Sequence, residues 1–211
     1  MQRQWRLVLL LLGAAACACP ALAQQPSPPA PGASAKPKPA PKPAPKPAAS
    51  KPAAAAAAAV AGGAQAKLLG QYGTWGAYTA APGGKKICFA IAKPASSETN
   101  PPNRPRNPIY MFISNRPADK VSDEVSVVIG YPFKAGSDAA AQIGSTSFAL
   151  YTQQDGAWIK NAAEEAHMVD AMRGGDTVVV RGVSAKGTQS TDTYTLKGVA
   201  QALDRTAQEC K

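Results

Sequence analysis

His167, Cys88 and Cys210 are the side chains beyond the first 66 residues best suited to nucleophilic or proton-transfer chemistry. His167 is the only histidine of the chain, so a nucleophile–base pair would need it beside a Ser, Thr or Cys. On a helix its neighbours three and four residues away are Glu164, Ala163, Asp170 and Ala171, a setting that predicts a surface ion pair instead. Cys88 and Cys210 have no histidine or acid cluster at zinc-ligand spacing, and in an oxidising compartment two thiols favour one disulfide over a metal site. No metal and no cofactor is expected. Glu164 and Glu165 are adjacent and point to two faces of a helix, which predicts solvated carboxylates. Acids distant in sequence but converging in the fold would be needed for an exported hydrolase, the rival enzymatic reading. Gly70, Gly73 and Gly76 do not lie between a strand and a helix, so they form no phosphate loop. Their spacing lets the chain pass close to Trp75. Trp75 and Trp158 are expected in the core, whereas an exposed indole would be a binding platform. Arg104 and Arg106 stand among four prolines between Thr99 and Pro108, and a stiff basic loop of that kind predicts a contact surface.

The elements that must position these residues read as many short strands. "TWGAYTA", "KICFAIAK", "IYMFISN", "EVSVVIGY", "STSFALYT", "AWIK", "DTVVVRGVSA" and "TQSTDTYTL" follow one another with turn signals between them, which predicts an antiparallel β-sandwich or barrel. Two helices interrupt the strands. Asn161 can cap the first, running to Gly174, with Ala162, Ala166, Val169 and either Met172 or Arg173 as its apolar stripe. Thr195 can cap the second, running to Glu209, with Leu196, either Val199 or Ala200, and Leu203 recurring at helical spacing. Cys88 falls in the second strand and Cys210 at the end of the last helix, so a bond between them would staple that helix to the sheet.

Composition divides the chain before the strands begin. Residues 1–23, "MQRQWRLVLLLLGAAACACPALA", have the basic start, apolar run and small-x-small ending of a secretory signal peptide, with cleavage expected after Ala23. The apolar run is shorter than the ~20 residues a membrane span needs, so no stable transmembrane segment is expected in the mature chain. Cys17 and Cys19 would leave with the leader. Residues 24–66 are rich in Pro, Ala and Lys, with proline at every second position from Pro37 to Pro47. They predict a disordered, extended linker, whose proline stretch can neither form a helix nor pair in a sheet and whose Ala53 to Ala61 run adds a frayed helical turn or two at most. The domain expected at 67–211 is long enough to bury one core. Of the 23 basic residues, Arg3 and Arg6 lie in the leader and five lysines in the proline tract; the other 16 face 13 acids, so the domain carries only a small part of the formal +10. That balance argues against nucleic acid as a partner.

The stretches "GYPFKAGSDAAAQIGSTSFALYTQQDGAWIK" and "MVDAMRGGDTVVVRGVSAKGTQSTDTYTLKGVAQALDRTAQEC", with the upstream "NPIYMFISNRP", resemble the invasion-associated locus B family of alphaproteobacterial envelope proteins. The similarity covers nearly all of Gln71 to Cys210, departing at Val199, where the family often has an aromatic residue. The resemblance implies a compact β-sandwich exported to the periplasm or cell surface, and, in pathogenic relatives, a role in invasion of host cells. It carries over no catalytic residues. The expected function is therefore non-enzymatic interaction with an envelope or surface protein or polymer, with a purely structural envelope component as a third reading.

Overall fold

A computed structural model describes residues 63–211; the expected leader, the cleavage expected after Ala23 and the proline tract lie outside the described residues. Eleven strands form one continuous sheet in the order β1-β2-β3-β5-β6-β9-β8-β7-β10-β11-β4. They are β1 (Lys67–Tyr72), β2 (Trp75–Ala80), β3 (Ile87–Ala92), β4 (Ser96–Asn100), β5 (Tyr110–Arg116), β6 (Val121–Val128), β7 (Ala139–Ile143), β8 (Thr146–Gln153), β9 (Gly156–Ile159), β10 (Thr177–Val183) and β11 (Gln189–Thr195). Every pairing is antiparallel.

Alternation decides which way each strand faces. In β10 and β11, Val178, Val180, Ser190, Asp192 and Tyr194 are buried while their neighbours are not, the period-two pattern of a sheet wet on one side. The principal core joins inward residues of both halves of the sheet, among them Ala77, Ala90 and Met111 from one and Ala141, Phe148, Val178 and Tyr194 from the other. The sheet thus folds over onto itself as a sandwich. β3 and β5 differ: nearly all their residues are buried on both faces, and a second cluster built on Tyr78, Phe89 and Phe112 lies on the side away from the main core.

Two α-helices, α1 (Glu165–Gly174) and α2 (Val199–Glu209), pack on the main-core side. Asn161 caps as expected, its Oδ1 accepting from the Ala163 amide at 3.2 Å, but a 3-10 turn over Ala162–Glu164 precedes α1. That tight turn rotates the helix, so Met168, Val169 and Met172 are its buried face, and Ala162 and Ala166 are exposed. The second helix starts later than its apolar spacing suggests. Thr195 remains in β11, and Leu196 is buried at the strand end. Gly198, at φ 96°, turns the chain into α2 in a left-handed conformation that only glycine adopts readily. A Cβ there would meet the Tyr72 carbonyl oxygen at 2.2 Å. Val199, Ala202 and Leu203 then seat α2 across β1, β2 and β3. Cys210 ends it, joined to Cys88 of β3 by a disulfide with Cα atoms 5.9 Å apart.

Candidate functional site

The proline-rich connection between β4 and β5 is held down by one side chain. Arg106 reaches inward and donates from Nη1 and Nη2 to Asp192 Oδ1 and Oδ2 at 2.8 and 2.7 Å. Its Nε and Nη2 also donate to the Ile129 carbonyl at 3.0 and 2.5 Å, and Nη1 to Ser97 Oγ at 3.0 Å. These bonds occupy all five guanidinium N–H groups. The carboxylate is equally committed: Ser97 Oγ donates to Asp192 Oδ1 at 2.5 Å. Both side chains are out of water, at 6% and 0% exposure. The Tyr131 ring closes the assembly, its centroid 5.0 Å from the Arg106 guanidinium and its hydroxyl 2.6 Å from Ser190 Oγ.

The loop is tied a second time through its backbone, the Asn107 amide donating to the Gly130 carbonyl at 2.9 Å, and the Arg104 amide donates to Thr99 Oγ1 at 3.1 Å. Asn103 sits in the left-handed region at φ 59°, which an Asn tolerates better than most residues. The outcome separates the two arginines singled out above. Arg106 has no donor left for a ligand, whereas Arg104 is exposed.

Arg104 stands between two clefts. One, of about 710 Å³, is lined by Lys93, Ser97, Glu98, Thr99 and Asn103 besides the loop prolines. The other, of about 600 Å³, is lined by Tyr131, Ser184, Lys186 and Thr188. Arg104 belongs to both linings, and Glu98 is the one acid among them. Lys93 at the first cleft lies over the Tyr110 ring, its Nζ 5.6 Å from the centroid. The electrostatic balance along the loop is therefore positive, with neutral hydroxyl and amide groups around it.

Burial pushes the Tyr131 phenol up against the smaller opposing influence of its Ser190 hydrogen bond. Burial, with the Asp192 charge adding to it, pushes the Tyr194 phenol far above its ordinary value, and the Tyr194 hydroxyl has no hydrogen-bond partner among the described residues. Among the described residues no cluster of His, Cys, Asp and Glu could hold a metal ion.

The remaining residues with possible chemistry are dispersed. Exposed His167 sets its ring edge-on against Phe148, centroids 5.4 Å apart, rather than serving a nucleophile. Glu165 is not simply solvated: its Oε1 accepts from the Val125 amide at 2.7 Å, tying the start of α1 to β6. Trp75 is fully buried and donates from Nε1 to the Thr195 carbonyl at 2.9 Å. Trp158 departs from the core expectation. It is only half-buried, stacked on exposed Tyr151 with centroids 5.6 Å apart. Gly156 makes room for the indole, since a Cβ there would lie 2.3 Å from Trp158 Cη2.

Residues 75–207 match the family described as Invasion associated locus B (IalB) protein. The chain belongs to the IalB family. No curated protein and no solved structure matches it significantly. The IalB match spans the disulfide-bearing strand, the Arg106 loop, Asp192 and nearly all of α2, so the anchored loop is part of the IalB domain rather than an appendage to it. No helix among the described residues is long and apolar enough to cross a membrane.

Sequence reasoning found the loop but missed Asp192, Tyr131 and Ser97. Only one of these left a trace in the sequence. Asp192 is the lone acid in the strand Gln-Ser-Thr-Asp-Thr-Tyr-Thr, at a position whose alternation points inward, and a buried acid requires a buried cation.

Proposed function

We propose that the protein is an exported, non-enzymatic interaction domain of the cell envelope, which binds an anionic envelope polymer or protein surface through Arg104 and its flanking clefts. The observation that carries this reading is the anchoring. A loop fixed by a five-donor buried arginine holds a second, exposed arginine between two clefts, with Lys93 on one side and Lys186 on the other. A pre-organised basic contact loses less conformational freedom on binding than a floppy one. Export by the expected leader, and any contribution to invasion of host cells, belong to the same proposal; family membership supports them. A hydrolase would need paired carboxylates facing one cleft, and a single acid, Glu98, lines these two.

The test is retention on isolated envelopes at rising salt. Arg104→Glu combined with Lys186→Glu should markedly weaken the salt-sensitive part of the retention while leaving the melting temperature unchanged. Retention equal to that of the unaltered protein would overturn the assignment to this loop.

A further inference from the structure

Tyr151 is the one exposed large hydrophobic side chain among the described residues, at 44%. It stands on the outer face of β8, where Ser147, Ala149 and Tyr151 are exposed while Phe148 and Leu150 enter the core. Register sets it opposite Trp158 of β9, which in turn faces Ser126 of β6. The two rings are near-parallel, 23° apart, with centroids separated by 5.6 Å. That separation is an offset stack, which leaves part of each ring face uncovered. On the other side of β8, Ala140 of β7 pairs with Ala149, so two small side chains form a low shelf beside the taller rings.

The surroundings of the rings are fitted to them. Gly156 opens β9, where a glycine weakens the strand, yet a Cβ there would lie 2.3 Å from Trp158 Cη2. The indole keeps its place because the strand gives up a side chain. Lys160 follows Trp158 by two positions, and its Nζ reaches over β8 to Asp138 Oδ2 at 2.6 Å. Both side chains remain 54% exposed. The ammonium has N–H donors beyond the one given to Asp138, and the carboxylate has further acceptor sites. Beside the aromatic pair there is thus a donor and an acceptor held together, with no net charge between them.

These features select the occupant. A sugar ring carries C–H groups on its faces and hydroxyls around its edge, so it needs an apolar surface next to mixed donors and acceptors. An ionic ligand would have to displace one partner of the Lys160–Asp138 pair. A second copy of the chain would need roughly 800 Å² on each side, whereas a Tyr and a Trp offer at most about 150–250 Å² each, and these two are only partly exposed. We propose that the outer face of β8 and β9 binds an uncharged glycan, one ring packing on Tyr151 and Trp158 while its hydroxyls bond to Asp138 and Lys160. The site shares no residue with the linings of the two clefts at Arg104. The protein then has two kinds of contact, a basic one that salt weakens and a neutral one that salt leaves alone.

The experiment titrates the full chain with maltohexaose, cellohexaose and chitohexaose, read by calorimetry and by tryptophan emission at low and high salt. At least one of the three should bind saturably, shift the emission, and bind equally well at both salt levels. Tyr151→Ser should weaken that binding about tenfold or more, and Tyr151→Phe should retain it, since the ring and not the hydroxyl does the packing. Tyr151→Ser changes an exposed ring, so the Cys88–Cys210 bond and the melting temperature should stay as they are; Trp158→Ala is the second variant, with the same loss expected. Arg104→Glu/Lys186→Glu should bind the oligosaccharide as the unaltered chain does, which separates this site from the basic loop. Binding of none of the three sugars, or equal binding by Tyr151→Ser and the unaltered chain, would overturn the proposal. So would self-association, or adsorption to neutral phosphatidylcholine vesicles, that Tyr151→Ser abolishes, by placing a second copy or a lipid surface where the glycan is assigned.

Discussion

Arg106 and Arg104 stand two positions apart in the sequence and do opposite work. Removing one partner of a buried ion pair strands the other charge, which typically costs about 3–5 kcal/mol. Asp192→Asn should therefore lower the urea midpoint strongly and loosen the loop, and Arg106→Lys should rescue little, because an ammonium cannot reproduce the planar fork. Arg104→Ala should shift stability by no more than about 0.5 kcal/mol, as expected for an exposed site. Glu165 gives a pH signature of its own. Burial raises its carboxyl above the ordinary value, partly offset by the Val125 amide. A raised carboxyl stabilises the fold when protonated, so its contribution is present at acid pH and fades as pH rises through the folded value. Glu165→Gln should flatten that part of the stability–pH curve, as read from melts between pH 3 and 7. The basic loop was legible in the sequence, but the opposed directions of its arginines were not. The deciding partner, Asp192, lies 86 residues away, and no local pattern links the two.

Strands with β-branched and aromatic runs were legible, and those without were not. β4 is Ser-Ser-Glu-Thr-Asn, polar throughout, and exists because β11 offers it an edge to pair with. β7 is Ala-Ala-Ala-Gln-Ile, whose composition favours a helix; pairing with β8 and β10 overrides that preference. β1 carries Gly70 and mixed side chains, too weak a signal to stand out beside the linker. The late start of α2 followed from a glycine turn that helical spacing alone does not register. The pairing of Cys88 with Cys210, by contrast, was expected from cysteine arithmetic and is present. Its loop of 122 residues places the expected effect near the upper part of the usual range. Cys88→Ser/Cys210→Ser should lose about 2–4 kcal/mol. Reductant should destabilise the unaltered protein by a similar amount and leave the double variant unchanged.

At the scale of the whole molecule, the sandwich class was readable because turn signals recur between short strands. The joining of the strands into one continuous order was not readable, since it depends on β6 pairing with β9, where Ser126 meets Trp158, and on β4 extending the far edge beside β11, where Asn100 meets Gln189. The five lysines of the proline tract contribute five of the 23 basic residues. Near an anionic surface each is worth about 1 kcal/mol at most, and salt screens such charges within about 10 Å at 0.1 M. Deleting residues 24–52 should leave the melting temperature unchanged and weaken retention on envelopes at low salt while hardly altering it at high salt. A lowered melting temperature would mean that the tract packs on the domain.

The Cys88–Cys210 bond also sets an order of events in biogenesis. Within residues 63–211 these are the only cysteines, so just one intramolecular connectivity exists and no wrong pair needs to be undone there. During synthesis Cys88 waits through 122 further positions for its partner, and only the seating of α2 over β3 brings the sulfurs together. Maturation should thus be timed by the supply of oxidant and indifferent to a disulfide isomerase. Reduced protein of residues 63–211 should recover its bond at the same rate with or without that catalyst.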